Sequence, residues 1–174
     1  ILKNFAKVLA PAGFNPSAFL PCYGLAEASL AASFSPLGEG LDVMHIDALA
    51  LAERGVAVRV CSDNRKVNAI VNCGKPLPEH EIEIVNDEGA ILPDLRIGRV
   101  LMRGPSLMEG YLNNPEATKA VFSEDGWLDT GDLGYIFENN LYLSGRRKDV
   151  IIVNGRNIRA QDLEELAEDQ SEVR

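Results

Sequence analysis

Residues 126–146 read GWLDTGDLGYIFENNLYLSGR, and no other part of the chain predicts its local structure as directly. Apolar side chains alternate on both sides of residues 138–140, which predicts two antiparallel strands joined by a tight turn whose asparagines take positive φ. Asp132 and Arg146 would then lie at the two ends of this hairpin. A carboxylate and a guanidinium held on rigid strands are well suited to binding a polar ligand.

Upstream of the hairpin the sequence predicts more strands and a capped helix. Residues 81–84 alternate glutamate with isoleucine before a turn at 86–89, and residues 100–102 form a second apolar run. These patterns are typical of half-buried strands. Asn114 stands before a proline, an arrangement typical of a helix N-cap, so we expect a short helix over 115–121.

The remaining segments carry weaker patterns. Apolar residues at helical spacing predict an opening helix over 1–9 that Pro11 terminates. Helix-forming residues favour further helices, and period-two valines and other apolar runs favour further strands. The predicted helices are 26–34, 48–54 and 161–168, and the predicted strands are 56–60 and 150–153, the last followed by a turn at 154–155.

Composition excludes several classes of function. The 174 residues include 26 acidic and 17 basic side chains, giving a formal net charge of −9 at pH 7. Such a charge repels nucleic acid and anionic lipid, so nucleic-acid binding is not expected. No apolar run approaches the roughly 20 residues of a transmembrane helix, and no signal-peptide pattern is present. These features predict a cytoplasmic protein.

Metal and disulfide sites made only of protein side chains are not predicted. Cys22, Cys61 and Cys73 are far apart and form no C-x-x-C pair. This spacing favours buried thiols over a disulfide framework or a zinc site. His45 and His80 have no partner at metal-ligand spacing, so we interpret both as surface or hydrogen-bonded histidines.

Two further short stretches have the chemistry of a nucleotide site. YGLAE at residues 23–27 offers an aromatic face for a base, a glycine that lets backbone approach a phosphate, and a carboxylate for a metal. RRK at residues 146–148 offers guanidinium groups that bind phosphate or ribose oxygens. Each stretch alone also fits an ordinary turn or a solvated charged run. Their combination with LDTGD at 128–132 is what predicts a nucleotide site.

The order of YGLAE, GRVLMRGPSLMEGYL, GWLDTGDLGY and SGRRKDVIIVNGRNI resembles the adenylate-forming superfamily of acyl-, aryl- and amino-acid-activating enzymes. The resemblance covers the chain from Phe19 to its end. It implies an α+β fold with a small antiparallel β-barrel or sheet near residues 80–145 and flanking helices. It also implies that residues 1–147 are the C-terminal part of a large N-terminal domain, and that 148–174 supply the first strand and helix of a small mobile domain.

The resemblance assigns roles to the first motif. Tyr23 would stack on the adenine of ATP or AMP, and Gly24 and Leu25 would lie against the nucleotide. Ala26 stands where many relatives have threonine, so only its backbone N–H would face the α-phosphate. Glu27 would coordinate Mg²⁺ on the phosphates.

The resemblance also assigns roles around the hairpin. Asp132 would accept hydrogen bonds from both ribose hydroxyls, which one carboxylate has enough lone pairs to do. Arg146 would contact the ribose and Leu143 would pack beside it. Lys148 would lie at the hinge between the large and small domains.

Within the superfamily, the chain resembles most the fatty acyl-AMP ligases. The features are Ala26, the run GRNI-x-x-QDLE, and the long interval between Glu27 and Gly74, in which residues 41–72 are interpreted as an insertion that disfavours formation of CoA thioesters. The implied activity is ATP-dependent adenylation of a fatty acid for transfer to the phosphopantetheine of an acyl carrier protein. A fatty acyl-CoA ligase is the alternative, and a noncatalytic nucleotide-binding module is the rival from another class.

The resemblance leaves some expected motifs unmatched. Arg159-Ala160 stands where acyl-AMP ligases usually have Tyr-Pro. The family's pyrophosphate-binding loop and its catalytic lysine have no counterpart in these 174 residues. The chain therefore looks like an internal fragment, which we expect to be inactive in adenylation and to associate through apolar faces such as that of residues 1–9.

Overall fold

The computed structural model describes residues 2–60, 67–153 and 156–159, together with Leu163 and Ala167. Three α-helices lie in this part of the chain: α1 (Leu2–Leu9), α2 (Ala48–Arg54) and α3 (Pro115–Val121). Its strands are β1 (Cys22–Tyr23), β2 (Ser33–Phe34), β3 (Val43–Asp47), β4 (Val67–Val71), β5 (Lys75–Pro76), β6 (Glu81–Val85), β7 (Gly98–Arg103), β8 (Leu128–Phe137), β9 (Asn140–Arg146), β10 (Val150–Val153) and β11 (Arg156–Arg159). The α+β fold class is confirmed.

A four-stranded antiparallel sheet in the order β6-β7-β8-β9 forms the centre of the molecule. The strands predicted near residues 81–84 and 100–102 are confirmed as β6 and β7, which pair over the whole of β6. The β8–β9 hairpin is also confirmed, and its register makes Asp132 and Arg146 direct cross-strand partners. The sheet thus brings one acidic and one basic side chain side by side.

The turn of this hairpin differs from the prediction in one position. Glu138 and Asn139 have positive φ angles of 50° and 63°. Asn140 does not, because it already pairs with Phe137 in the ladder. A two-residue hairpin turn needs positive φ at both central residues, and here they are a glutamate and one asparagine.

Two apolar clusters cover opposite faces of the central sheet, since adjacent strand residues such as Leu141 and Tyr142 point to opposite sides. Leu141 belongs to the cluster that contains Tyr23. Tyr142 belongs to the other cluster, where its ring stacks on that of Tyr135 at 5.0 Å and meets the β3, β4 and α2 segments. The Tyr23 turn is therefore anchored in the same core as the sheet that carries Asp132.

The helices predicted over 1–9, 48–54 and 115–121 are confirmed as α1, α2 and α3, with residue 1 outside the described residues. The Asp47 carboxylate caps α2 by accepting from the backbone N–H groups of Leu49 and Ala50, each at 2.9 Å. The Asn114 side chain caps α3 by accepting from the N–H of Ala117 at 3.1 Å. These contacts satisfy donors that a helix N-terminus otherwise leaves unpaired.

The helix predicted over 26–34 is wrong. Ala26–Ala28 form a single 3-10 turn, Ser29 has a φ of 63°, and the chain then extends into β2. Strand β2 pairs with β1, so Phe34 lies opposite Cys22. This long-range backbone pairing overrides the local helix propensity of the alanines.

Three other expectations need correction. Residues 56–60 form only isolated bridges, because their hydrogen bonds are divided between β3 and residues 95–97. Strand β4, which pairs with β3, was not predicted. Of the thiols interpreted as buried, Cys22 is exposed and Cys73 is half-buried, while Cys61 lies outside the described residues.

The strand predicted over 150–153 is confirmed as β10, which pairs with β11. The turn predicted at 154–155 lies outside the described residues. So does most of the helix predicted over 161–168, of which only the helical positions Leu163 and Ala167 are described. In the described part of the chain, none of the helices has the length and apolar character to cross a bilayer.

Candidate functional site

Tyr23, Asp132 and Arg146 meet at one point, although they come from three different strands. The Tyr23 hydroxyl donates to Oδ2 of Asp132 at 2.6 Å, across a sequence separation of 109 residues. Nε of Arg146 donates to the other oxygen, Oδ1, at 3.1 Å. The Asp132 side chain is 10% exposed and that of Arg146 is 71% exposed. The structure thus gathers the predicted aromatic, acidic and basic residues into one cluster.

The Tyr23 hydroxyl is a protonated donor in this cluster. Burial raises the pKa of Tyr23 above its ordinary value, and the hydrogen bond to the Asp132 carboxylate raises it further. A charge-assisted bond of this length is among the stronger hydrogen bonds in proteins. The bond therefore fixes the position of both Oδ2 of Asp132 and the Tyr23 side chain.

The loop that carries Asp132 is held by its own side chains. Asp129 accepts from the N–H of Gly131 at 3.0 Å, and Thr130 Oγ1 accepts from the N–H of Asp132 at 3.1 Å. Arg99 forms an ion pair with Asp129 at 2.6 Å, where the two side chains are 19% and 22% exposed. The backbone around Asp132 is thereby fixed before any ligand is present.

Glu27 is placed by a second set of contacts. Its Oε1 accepts from the Tyr111 hydroxyl at 2.7 Å, and its backbone carbonyl accepts from the N–H of Met108 at 2.7 Å. The hydrogen bond to Glu27 raises the pKa of Tyr111, so its hydroxyl stays protonated and donates. The stretch GRVLMRGPSLMEGYL, residues 98–112, thus contacts the YGLAE turn directly.

A cleft of about 570 Å³ joins these two sets of contacts. Glu27 and Tyr111 line it, and so do Asp132 and Arg146. The complete lining is Leu25, Glu27, Tyr111, Ala120, Val121, Leu128, Asp129, Thr130, Gly131, Asp132, Arg146, Arg147 and Lys148. The predicted residues Leu25, Glu27, Asp132, Arg146 and Lys148 therefore share one cavity.

The other predicted residues flank the cleft. Leu143 packs against the apolar cluster that contains Tyr23. Ala26 opens the 3-10 turn and is exposed. At Gly24, an added Cβ would overlap the carbonyl of Leu30. A glycine is required here by the backbone of the turn itself, whatever ligand lies beside it.

Sequence reasoning gave no role to Tyr111 or Arg99. Both lie inside the quoted stretch GRVLMRGPSLMEGYL, so the signal that could have pointed to them was the motif as a whole. Their partners are 84 and 30 residues away in sequence, respectively. No local periodicity encodes contacts at such separations.

The Glu27 carboxylate fits a divalent cation that is already bound to the phosphates of a nucleotide. Glu27 supplies a hard carboxylate whose Oε1 takes the Tyr111 hydrogen bond. Mg²⁺ usually binds through one or two carboxylates together with substrate phosphates and water. Within residues 2–60, 67–153 and 156–159, no group of three His, Cys, Asp or Glu side chains could hold a metal by itself. Glu27 is thus suited to a metal–phosphate complex rather than to a protein-only cage.

Comparison with known proteins gives a consistent result. The family model described as "AMP-binding enzyme" matches residues 3–112. A Caulobacter vibrioides protein that carries a provisional name as an acyl-CoA synthetase is 44% identical over 97% of this chain and 30% of its own length. JamA of Moorena producens, a medium-chain-fatty-acid–[acyl-carrier-protein] ligase, is 37% identical over 94% of this chain and 29% of its own length.

A solved structure has the same fold. It comes from work on fatty acyl-adenylate ligases of E. coli and L. pneumophila, and it superposes with a TM-score of 0.91 at 44% identity. It covers 98% of this chain and 30% of its own chain. The 174 residues thus span about a third of the length of these relatives.

Proposed function

This chain belongs to the AMP-binding enzyme family, and we propose that the protein carrying it activates a fatty acid by adenylation. The carboxylate of the fatty acid attacks the α-phosphate of ATP, forming acyl-AMP and releasing pyrophosphate. The observation that carries the proposal is the convergence of Tyr23, Asp132 and Arg146 beside the cleft that Glu27 lines.

In this proposal the ribose is bound at Asp132. Its carboxylate accepts both ribose hydroxyls, while Arg146 and Leu143 contact the sugar from either side. The support is geometric, because each Asp132 oxygen already accepts one donor and has a further lone pair to offer.

The base and phosphates are bound by the YGLAE turn. The proposal places adenine beside Tyr23, although this side chain is 6% exposed and is not among the residues that line the cleft. The backbone of Gly24, Leu25 and Ala26 follows the nucleotide. Glu27 would hold Mg²⁺, which when bound would neutralise negative charge on the phosphates and so reduce their repulsion of the fatty acid carboxylate.

We further propose that residues 1–147 belong to the large domain, with 41–72 as an insertion, and that Lys148 marks the hinge to a small domain starting there. Strands β3 and β4 pair with each other, and α2 lies between them in sequence, as expected for an insertion that folds as one unit. On this basis the acyl group passes to the phosphopantetheine thiol of an acyl carrier protein. Transfer to CoA is the alternative, and the provisional name of the Caulobacter relative favours it.

The test uses the complete protein that carries these 174 residues. Incubation with ATP, Mg²⁺ and fatty acids of several lengths should yield acyl-AMP, detected by mass spectrometry. Addition of phosphopantetheinylated carrier protein or of CoA then identifies the acceptor. Efficient acyl-CoA formation would contradict the carrier-protein proposal, and nucleotide binding without any acyl-AMP would favour a noncatalytic module.

The individual site residues need a separate test. Asp132→Ala should weaken AMP binding strongly, because it removes the acceptor for the ribose hydroxyls. Glu83→Ala is a suitable control, since it removes a carboxylate from the central sheet away from the cleft lining. Equal affinities in the two variants would contradict the ribose assignment.

A further inference from the structure

We infer that Tyr111 is a positioning residue for Glu27: its hydroxyl holds the carboxylate in the orientation that meets a metal–phosphate complex. The inference rests on the proposed function, because it deepens the role given to Glu27 there. The direct observation is the hydrogen bond of 2.7 Å from the Tyr111 hydroxyl to Oε1 of Glu27.

The loop before Tyr111 closes on the YGLAE turn through three hydrogen bonds. The Ser29 hydroxyl donates to the carbonyl of Ser106 at 3.2 Å. The N–H of Met108 donates to the carbonyl of Glu27 at 2.7 Å. The Tyr111 hydroxyl completes the set at the Glu27 side chain. Backbone and side chain of the same glutamate are thus held by one loop, which ties its direction as well as its position to that loop.

Tyr111 is itself fixed at its other end. Its backbone N–H donates to Oγ1 of Thr118 at 2.9 Å, and that hydroxyl donates to the carbonyl of Asn114 at 3.0 Å. Thr118 lies in α3, whose N-terminus is capped by Asn114. The tyrosine is therefore attached to a capped helix, and it transmits that fixed geometry to a carboxylate in the cleft.

The bond to Tyr111 also selects which carboxylate oxygen is available. Oε1 accepts the Tyr111 hydroxyl, and both residues line the cleft, so Oε2 keeps its full acceptor capacity for a cation. Without the hydroxyl, the half-buried glutamate would sample several side-chain rotamers, and metal binding would have to order it again. Removal of the hydroxyl should therefore weaken metal-dependent binding selectively.

The experiment compares Tyr111→Phe with wild type in the complete protein, using equilibrium binding of MgATP and of AMP in the presence of EDTA. The Kd for MgATP should rise about three- to tenfold, the effect of one ordinary hydrogen bond. The Kd for metal-free AMP should not change, because the ribose site does not involve Tyr111. Glu109→Gln is the matched control, since it alters an exposed carboxylate in the same loop.

A double-mutant cycle with Glu27→Gln separates positioning from a general structural effect. Tyr111→Phe should weaken MgATP binding in wild type but add little in the Glu27→Gln background. Equal losses for MgATP and metal-free AMP, or unchanged MgATP binding, would overturn the inference alone. A wild-type protein that binds ATP equally well with and without Mg²⁺ would overturn the role of Glu27 and with it this inference.

Discussion

The Tyr23 hydroxyl should contribute more to stability than an ordinary buried hydroxyl, because its acceptor is a carboxylate. Tyr23 is 6% exposed and donates to Asp132 at 2.6 Å. Tyr23→Phe retains the ring and its packing but leaves Oδ2 of a buried carboxylate without this donor. A hydrogen bond to a charged group contributes about 1.5–3 kcal/mol, so the free energy of unfolding should fall by about 2 kcal/mol.

The chain contains a matched control for this substitution. Tyr135 is fully buried, and among the described residues its hydroxyl meets only the Met44 sulfur, at 3.4 Å. Sulfur is a weak acceptor, so Tyr135→Phe should cost less than about 1 kcal/mol. Thermal and urea unfolding of both variants would measure the difference. If the two substitutions lower the free energy of unfolding equally, the bond to Asp132 has no special strength.

The Tyr23 effect should also shrink when its acceptor loses its charge, because an asparagine oxygen still accepts but forms only a neutral hydrogen bond. In a double-mutant cycle with Asp132→Asn, the coupling energy between the two positions should be about 1–2 kcal/mol. AMP binding should weaken in Tyr23→Phe although the ring is retained, because Asp132 is no longer held on both oxygens. Additive stability losses in the cycle would refute this reasoning.

Four further outcomes are expected. Gly24→Ala should destabilise the protein by more than Gly126→Ala. A Cβ at Gly126 would lie in open space, so that substitution should cost only about 1 kcal/mol for its unfavourable φ. Unfolding midpoints test this, and equal losses would contradict the close packing at Gly24. Asn114→Ala should cost about 1 kcal/mol by removing the α3 cap, measured in the same way. Burial raises the pKa of the Cys73 thiol from 9.0 to about 11. Between these pH values the thiol is deprotonated in the unfolded chain but still protonated in the native chain. The contribution of this group to stability should therefore decline as pH rises through this interval. Alkylation of Cys73, followed by mass spectrometry, should accordingly stay slow until the pH approaches 11.

Local patterns predicted the parts of the fold that local interactions determine. The β8–β9 hairpin followed from alternation around a short polar turn, and with it the pairing of Asp132 and Arg146. Helix α3 followed from its cap at Asn114. Strand β4 was missed because a buried polar residue, Asn68, stands where alternation requires an apolar one. The burial of that residue depends on the partner strand rather than on its neighbours in sequence.

The residues of the candidate site were grouped from the order of the sequence motifs, because local patterns carry no information on tertiary contacts. The contact between Tyr23 and Asp132 crosses 109 residues, and no periodicity encodes it. Ordered motifs predicted that these side chains share a site, but not which atoms meet. The same limit explains the helix wrongly expected over 26–34, since Phe34 pairs back onto Cys22. Contacts made by the docking of loops, such as that of Tyr111, require the folded structure.

The cleft is lined by side chains of both charges. Its lining carries three carboxylates and three cationic side chains, so it is locally neutral in a chain whose net charge is −9. The three residues that supply the positive charge are consecutive: Arg146, Arg147 and Lys148. A metal-free nucleoside triphosphate entering such a cleft gains little electrostatic attraction, because the field of the whole chain repels anions.

A divalent cation would change this balance. Bound at Glu27, it would offset much of the phosphate charge. The end proposed to bind ribose needs no such compensation, because Asp132 already accepts hydrogen bonds from Tyr23 and Arg146 and its geometry is preorganised. The two ends of the site should therefore respond differently to chelation: EDTA should weaken ATP binding far more than AMP binding. Equal sensitivity of the two nucleotides would mean that the metal is not held at the phosphate end, and that Glu27 has another role.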